Sequence, residues 1–153
     1  HGALAASGRA DSAIVARVLQ DDYFLRAAPK SLDRDYFSYI LALVADLNEA
    51  DTAATLTAII VACLAAALEH MPARPAQMWI TGGGRKNREL MRLLQEALPM
   101  QVCDVDDMGF DGDMVEAQAF AYLAVRRARG LPTSFPSTTG VGLPLSGGRL
   151  SPA

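Results

Sequence analysis

The residues best suited to chemistry in this chain fall in three short segments. The first is Thr81-Gly82-Gly83-Gly84-Arg85-Lys86-Asn87, between an apolar stretch and a leucine-rich one. Consecutive glycines let the backbone take positive φ and let a ligand approach without meeting a Cβ. The N–H groups at the start of a following helix favour an anion or a polar sugar edge. The spacing gives neither a Walker A loop, which needs Gly-Lys-Ser/Thr in register, nor a dinucleotide fingerprint, whose third Gly falls elsewhere. On the residues alone, Gly82, Gly83, Gly84 and Asn87 divide evenly between a tight strand-to-helix turn and a nucleotide contact.

The second segment is Asp111-Gly112-Asp113-Met114-Val115-Glu116. Asp113 followed three residues later by Glu116 has the form of a capping box. The alternative turns Glu116 toward a cleft, where its carboxylate accepts from a sugar or orients water. Asp104, Asp106, Asp107 and Asp111 lack the register of a calcium loop and read as a solvated acidic loop. The third segment, Pro29-Lys30-Ser31-Leu32-Asp33-Arg34-Asp35, offers two cations that either hold an anion or are solvated or paired with Asp33 and Asp35. Two cysteines (Cys63, Cys103) and two histidines (His1, His70) are too few and too far apart for a closed zinc site, and no Ser-His-Asp set is in view. The cysteines read as buried thiols of a reducing cytosol, and His70 as a cation at a helix C-terminus.

Helical periodicity predicts the elements that must position these residues. A helix over 11–20 is capped by Asp11, and another runs from 33 or 34 to 47 with Phe37, Ile40, Leu41 and Val44 on one face. The longest covers 51–70, with Asp51 or Thr52 as its cap and Pro72 ending it. Residues 53–68 carry no charge, but the run is Ala-rich, includes Thr55 and Thr57, and is shorter than the ~20 apolar residues a membrane span needs. A helix buried on nearly all sides is the better reading. Strands are predicted at 77–81 and 100–103, helices at 86–98 and 115–130, and a last strand at 141–145. In the helix over 115–130, Ala117, Phe120, Ala121, Leu123 and Ala124 face inward and Gly130 is the C′ residue.

The chain has 153 residues, is 51% hydrophobic and 20% charged, and carries a net charge of -3. That composition excludes disorder, and its mild acidity argues against a nucleic-acid partner. Strand–turn–helix occurs twice, so the class is α/β, with much helix and a sheet too small to stand alone. A start at His1-Gly2-Ala3 without Met reads as part of a longer protein.

In order along the chain, several motifs resemble those of the anhydro-N-acetylmuramic acid kinase family. They are Gly2-Ala3-Leu4-Ala5-Ala6-Ser7-Gly8; Pro29-Lys30-Ser31 with Arg34 and Phe37; Asp51 with Ala54-Thr55-Leu56-Thr57-Ala58; Gly82-Gly83-Gly84 with Asn87, Leu90 and Met91; and Asp113 with Glu116-Ala117, Ala119-Phe120-Ala121 and Leu123-Ala124. Gly130-Leu131-Pro132 and Thr139-Gly140 follow. Ala28 and Leu32-Asp33 depart from that pattern, as does Tyr122 where Trp is commoner.

The resemblance implies the helix-rich C-terminal lobe, residues 1–153, of a two-lobed actin-like ATPase with a ribonuclease H-like fold. The phosphate loop and catalytic aspartate are then expected outside these residues. It further implies ATP and Mg²⁺ as cofactors, a sugar substrate, a cytoplasmic homodimer with no membrane partner, and a lobe inactive by itself. Gly82, Gly83, Gly84 and Asn87 would contact the nucleotide, and Glu116 the substrate. A non-catalytic or degenerate ATPase-like module is the alternative.

Overall fold

The computed structural model describes residues 1–151, except for the side chain of Arg34. The elements are α1 (Ala3–Ser7), α2 (Ser12–Leu19), α3 (Asp22–Leu25), α4 (Ile40–Leu43), α5 (Glu49–Leu68), β1 (Gln77–Ile80), α6 (Arg88–Ala97), β2 (Gln101–Asp104), α7 (Val115–Ala128) and α8 (Pro136–Thr139). Three 3₁₀ segments cover Arg34–Tyr39, Gly83–Lys86 and Val105–Met108. The class is α/β with much helix, and the sheet is a single parallel pair in which Gln77 faces Gln101 and Ile80 faces Asp104.

Helix α5 is the packing centre. One cluster sets Val61 against Leu90, Leu94 and Leu98 of the α6 region and Met100, with Met78, Ile80 and Val102 of the strands at its border. A second sets Ile59 against Val18 and Ile40, with Phe24 and Phe37 beside it. The small residues of α5 admit close neighbours: a Cβ on Gly8 would collide with the Ala50 carbonyl. Buried Thr55 accepts the Asp11 N–H at 3.0 Å, and buried Thr57 donates to the Ala53 carbonyl at 2.7 Å. By length and composition α5 is apolar enough to cross a membrane. Here its faces meet α1, α2 and α6, but the buried residues are only Ala54, Thr55, Thr57, Ile59 and Val61 and Ile60 is 48% exposed, so the helix is not buried on nearly all sides as expected.

Several expected boundaries move for identifiable reasons. Asp11 caps α2 as predicted, accepting from the N–H groups of Ala13 and Ile14. The cap of α5 is Asn48, whose side chain accepts the Asp51 N–H, so the helix starts earlier than expected. Asp51 instead accepts from the Arg9 N–H at 2.6 Å and from Asn48 Nδ2 at 2.7 Å, tying α5 to the loop after α1. The helix predicted over 33–47 breaks into the 3₁₀ segment and the short α4. Residues three apart eclipse in a 3₁₀ helix, which lets the hydroxyls of Tyr36 and Tyr39 both donate to the Asp21 carboxylate, at 3.0 and 3.1 Å. Edge-to-face contacts of Phe37 with Tyr23 and Tyr36 complete that cluster.

Lys30 neither waits for an anion nor pairs with Asp33 or Asp35. Its ammonium donates to the carbonyls of Tyr23 and Phe24 and lies over the Tyr23 ring, while Asp33 caps the 3₁₀ turn. The Arg34 side chain lies outside the described residues. His70 sits beyond the end of α5 with its Nε2 at 2.8 Å from the Phe24 carbonyl, so it braces a loop and caps nothing. Both cysteines are free, Cys103 buried and Cys63 half-buried, and burial pushes the Cys63 thiol up. The strand predicted at 141–145 is reduced to one antiparallel bridge, Ser134 with Leu145.

Helix α7 gives the largest correction. Its C-terminus closes as predicted, with Gly130 at φ 67°, its N–H donating to Arg127 and the Leu131 N–H donating to Arg126. Its expected inward face is not covered: Ala117, Phe120, Ala121, Leu123 and Ala124 are all exposed, and no residue of α7 is buried. Apolar periodicity identifies a face but not what lies against it.

Candidate functional site

In open parallel sheets, ligands bind outside the carboxyl ends of the strands. Both strands here end level, at Ile80 and Asp104, so the loops that follow them share one edge of the molecule. The glycine loop follows β1. Gly82 has φ 71°, a conformation that favours glycine. A Cβ built on Gly82 or Gly83 would meet nothing within 4 Å, and one on Gly84 would only touch Leu90 at 3.6 Å. The loop backbone is therefore open to an approaching molecule. Its 3₁₀ turn ends at Asn87, which caps α6 by accepting the Leu90 N–H at 3.1 Å.

Asn87 also lies against Gly2, where a Cβ would collide with its Oδ1. The Gly2–Gly8 motif is thereby brought to the glycine loop, with α1 resting on α5 and α6. An open cleft of about 690 Å³ lies between the start of α1 and the start of α6. Its charged lining is Lys86, Arg88, Glu89 and Arg92. Lys86 pairs with Asp113, and Arg92 with Glu89 and Glu96. Among the described residues, Arg88 has no ion-pair partner, so its charge is available to an anion in the cleft.

The loop after β2 carries the acidic residues, and Asp104 and Asp106 are not simply solvated as expected. Asp106 accepts the Gly112 N–H at 2.7 Å and the Arg85 guanidinium at 3.1 Å. The Gly112 N–H and then Arg85 lower the Asp106 carboxyl below its ordinary range. Asp113 accepts from Arg85 at 2.7 Å and Lys86 at 2.6 Å, and those two cations hold its carboxyl at about 2. The same bonds raise the Arg85 guanidinium still further. Residue Gly112 is the joint between the loops: its carbonyl accepts from the Gly82 N–H and the Thr81 hydroxyl, both at 3.0 Å.

This arrangement corrects the capping box. Asp113 is used by Arg85 and Lys86, Met114 occupies the cap position, and no side chain caps α7. Glu116 is exposed in the first turn of α7, a few residues beyond the Gly112 joint. Gly82, Gly83, Gly84 and Asn87 thus share one loop, and the chain leading to Glu116 is bonded to it through Gly112. Sequence reasoning gave Arg85 no role of its own, read Asp106 as solvated and left Arg88 out. A basic pair just after a glycine turn, with an acidic loop after the next strand, was the available signal.

A family model described as anhydro-N-acetylmuramic acid kinase matches residues 1–153. The chain belongs to that family. It is 54% identical over 150 residues to anhydro-N-acetylmuramic acid kinase 1 of Jannaschia sp. (strain CCS1), an alignment covering 98% of this chain and 40% of that protein. The corresponding kinase of Cereibacter sphaeroides is 55% identical over 150 residues, with the same shares, 98% and 40%. That of Rhodospirillum rubrum is 51% identical over 152 residues, covering 99% of this chain and 40% of its own. The chain spans about 40% of the length of these curated relatives.

Proposed function

We propose that this chain supplies the nucleotide-side, C-terminal lobe of an actin-like sugar kinase. The substrate is 1,6-anhydro-N-acetylmuramic acid, and the reaction moves the γ-phosphoryl group of ATP to the sugar's 6-oxygen while water opens the anhydro ring. The product, N-acetylmuramic acid 6-phosphate, places the enzyme in cytoplasmic peptidoglycan recycling, acting as a homodimer. Phosphoryl transfer depends mainly on positioning and on neutralising charge. In this reading residues 82–84 and 87 position the nucleotide, Arg88 faces its anionic groups, and Glu116 contacts the sugar. The nucleophile-activating aspartate and the phosphate loop belong to other parts of the family's chain, so these residues alone do not turn over substrate.

The observation that carries the reading is the open backbone of the glycine loop at the carboxyl end of the parallel pair. Mg²⁺ would arrive with ATP and shield its phosphates. The carboxylates of Asp106 and Asp113 are engaged with Arg85, and among the described residues no cluster of His, Cys, Asp or Glu could hold a metal ion. No residue here is therefore assigned to the metal.

Gly83→Val tests the reading cleanly, because its Cβ would enter open space and Gly83 has no positive φ to strain. Calorimetric titration of a non-hydrolysable ATP analogue into the complete polypeptide should show at least tenfold weaker binding in the variant. Unchanged affinity would remove the glycine loop from the nucleotide site.

A further inference from the structure

The Arg85 side chain is only 4% exposed, although it sits between two surface loops. It contacts no open space from which a ligand could reach it, so any part it plays must pass through its partners. Those partners come from both loops. On the β1 side, Nη1 donates to the Gly82 carbonyl at 3.0 Å. On the β2 side, Nη1 meets Asp113, Nη2 meets Asp106 and Nε lies 3.2 Å from Asp104. A guanidinium presents five N–H donors in a rigid fork, which suits several acceptors held at once in one plane.

Gly112 fits this fork closely. A Cβ there would collide with Arg85 Nε and Cζ and with Asp106 Oδ1. The absence of a side chain at 112 lets the second loop lie directly on the guanidinium, while the Gly112 carbonyl receives Gly82 and Thr81. Within itself the glycine loop adds the 3₁₀-turn bonds from the Arg85 N–H to the Gly82 carbonyl, at 3.4 Å, and from the Asn87 N–H to the Gly84 carbonyl, at 3.0 Å. Gly82 and Gly83 touch no side chain on their Cβ side, and glycine is the residue with the greatest backbone freedom to lose.

We propose that Arg85 is a positioning residue for nucleotide binding: its guanidinium locks the glycine loop to Gly112 and the 104–113 loop, and so holds residues 82–84 in the shape that receives the nucleotide. This rests on reading the glycine loop as a nucleotide contact. A displacement on the order of an ångström in a positioning element is enough to cost up to a hundredfold. Lysine cannot replace this arginine, since one ammonium cannot reach the Gly82 carbonyl and the spread carboxylates together.

The test uses the complete polypeptide carrying Arg85→Lys, Gly112→Ala or Gly83→Val, with the KM for ATP, kcat and the affinity for a non-hydrolysable ATP analogue measured for each. Arg85→Lys should raise the KM for ATP and weaken analogue binding about tenfold. Gly112→Ala, which displaces the guanidinium without removing its charge, should do the same and decides the matter if Arg85→Lys fails to fold. A merely structural role would lower the amount of active protein and leave the KM for ATP unchanged. If Gly83→Val weakens binding while Arg85→Lys and Gly112→Ala bind like the wild type, the positioning role falls and the site stands. If Gly83→Val also binds normally, the nucleotide reading falls and the positioning role with it.

Discussion

Helices α6 and α7 invite comparison because both follow a turn at the carboxyl end of the sheet and both carry an apolar face. In α6, Leu90 and Leu94 are buried against Val61 of α5 and the strands, and Asn87 caps the first turn. In α7 nothing is buried, no side chain caps the start, and Phe120 and Tyr122 stand 65% and 61% exposed. What ties α7 down lies at its ends. Arg85 fastens the loop before it, and Arg126 and Arg127 bond the tail after it through the carbonyls of Pro132 and Gly148. One helix is held by its side, the other by its termini. The first kind of anchorage draws on apolar burial at roughly 25 cal/mol per Å², and the second on a few directional bonds.

Substitution should separate the two sharply. Leu94→Ala, at a fully buried site, should cost about 2–5 kcal/mol in the denaturant stability of this chain. Phe120→Ala should stay within about 0.5 kcal/mol, although it removes the larger side chain. Equal losses would mean that α7 is covered in solution. Asn87→Ala should cost about 1 kcal/mol through the lost cap of α6, while Glu116→Gln in the first turn of α7 should change stability by a few tenths at most.

A finer distinction comes from pH. Asp113 has a folded-state value of about 2, below the ordinary 3.8, so the stabilisation from its bonds to Arg85 and Lys86 is present above pH 4 and is lost as pH falls toward 2. Tyr39, raised to about 12 by burial and then by Asp21, contributes stability fully below pH 10 that is lost as pH rises toward 12. Denaturant stability followed through an acid titration should therefore fall below pH 4, and Asp113→Asn should flatten that acid limb. The alkaline limb should respond to Tyr39→Phe and not to Asp113→Asn.

Caps and periodicity made α2 and α6 legible: Asp11 lies where an N-cap belongs, and leucines at 90, 93, 94 and 98 mark one face. Strand β1 ends one residue earlier than expected and β2 is displaced by one residue at both ends, because their register is set by each other. The 3₁₀ turn over Arg34–Tyr39 was not legible, since it depends on a carboxylate at Asp21 that is 15 and 18 residues away. The start of α5 was misplaced because Asn48, Asp51 and Thr52 all suit a cap, and only the Arg9 N–H decides where Asp51 goes. In the site, the glycines announced themselves through composition. Arg85 did not, because its meaning lies in acceptors 21 and 28 residues later.

The two-strand parallel pair has a consequence for handling the protein. Among the described residues, neither β1 nor β2 has a second strand partner, so their outer edges are open to a further strand, although on β2 the Val102 N–H already donates to Gln95 Oε1 at 2.9 Å. Neither strand contains proline, and neither carries a lysine that would discourage another chain from adding to it. At high concentration this chain should therefore be prone to edge-to-edge association. A covering strand, from another part of a family chain or added by fusion, should suppress it more effectively than any change of buffer.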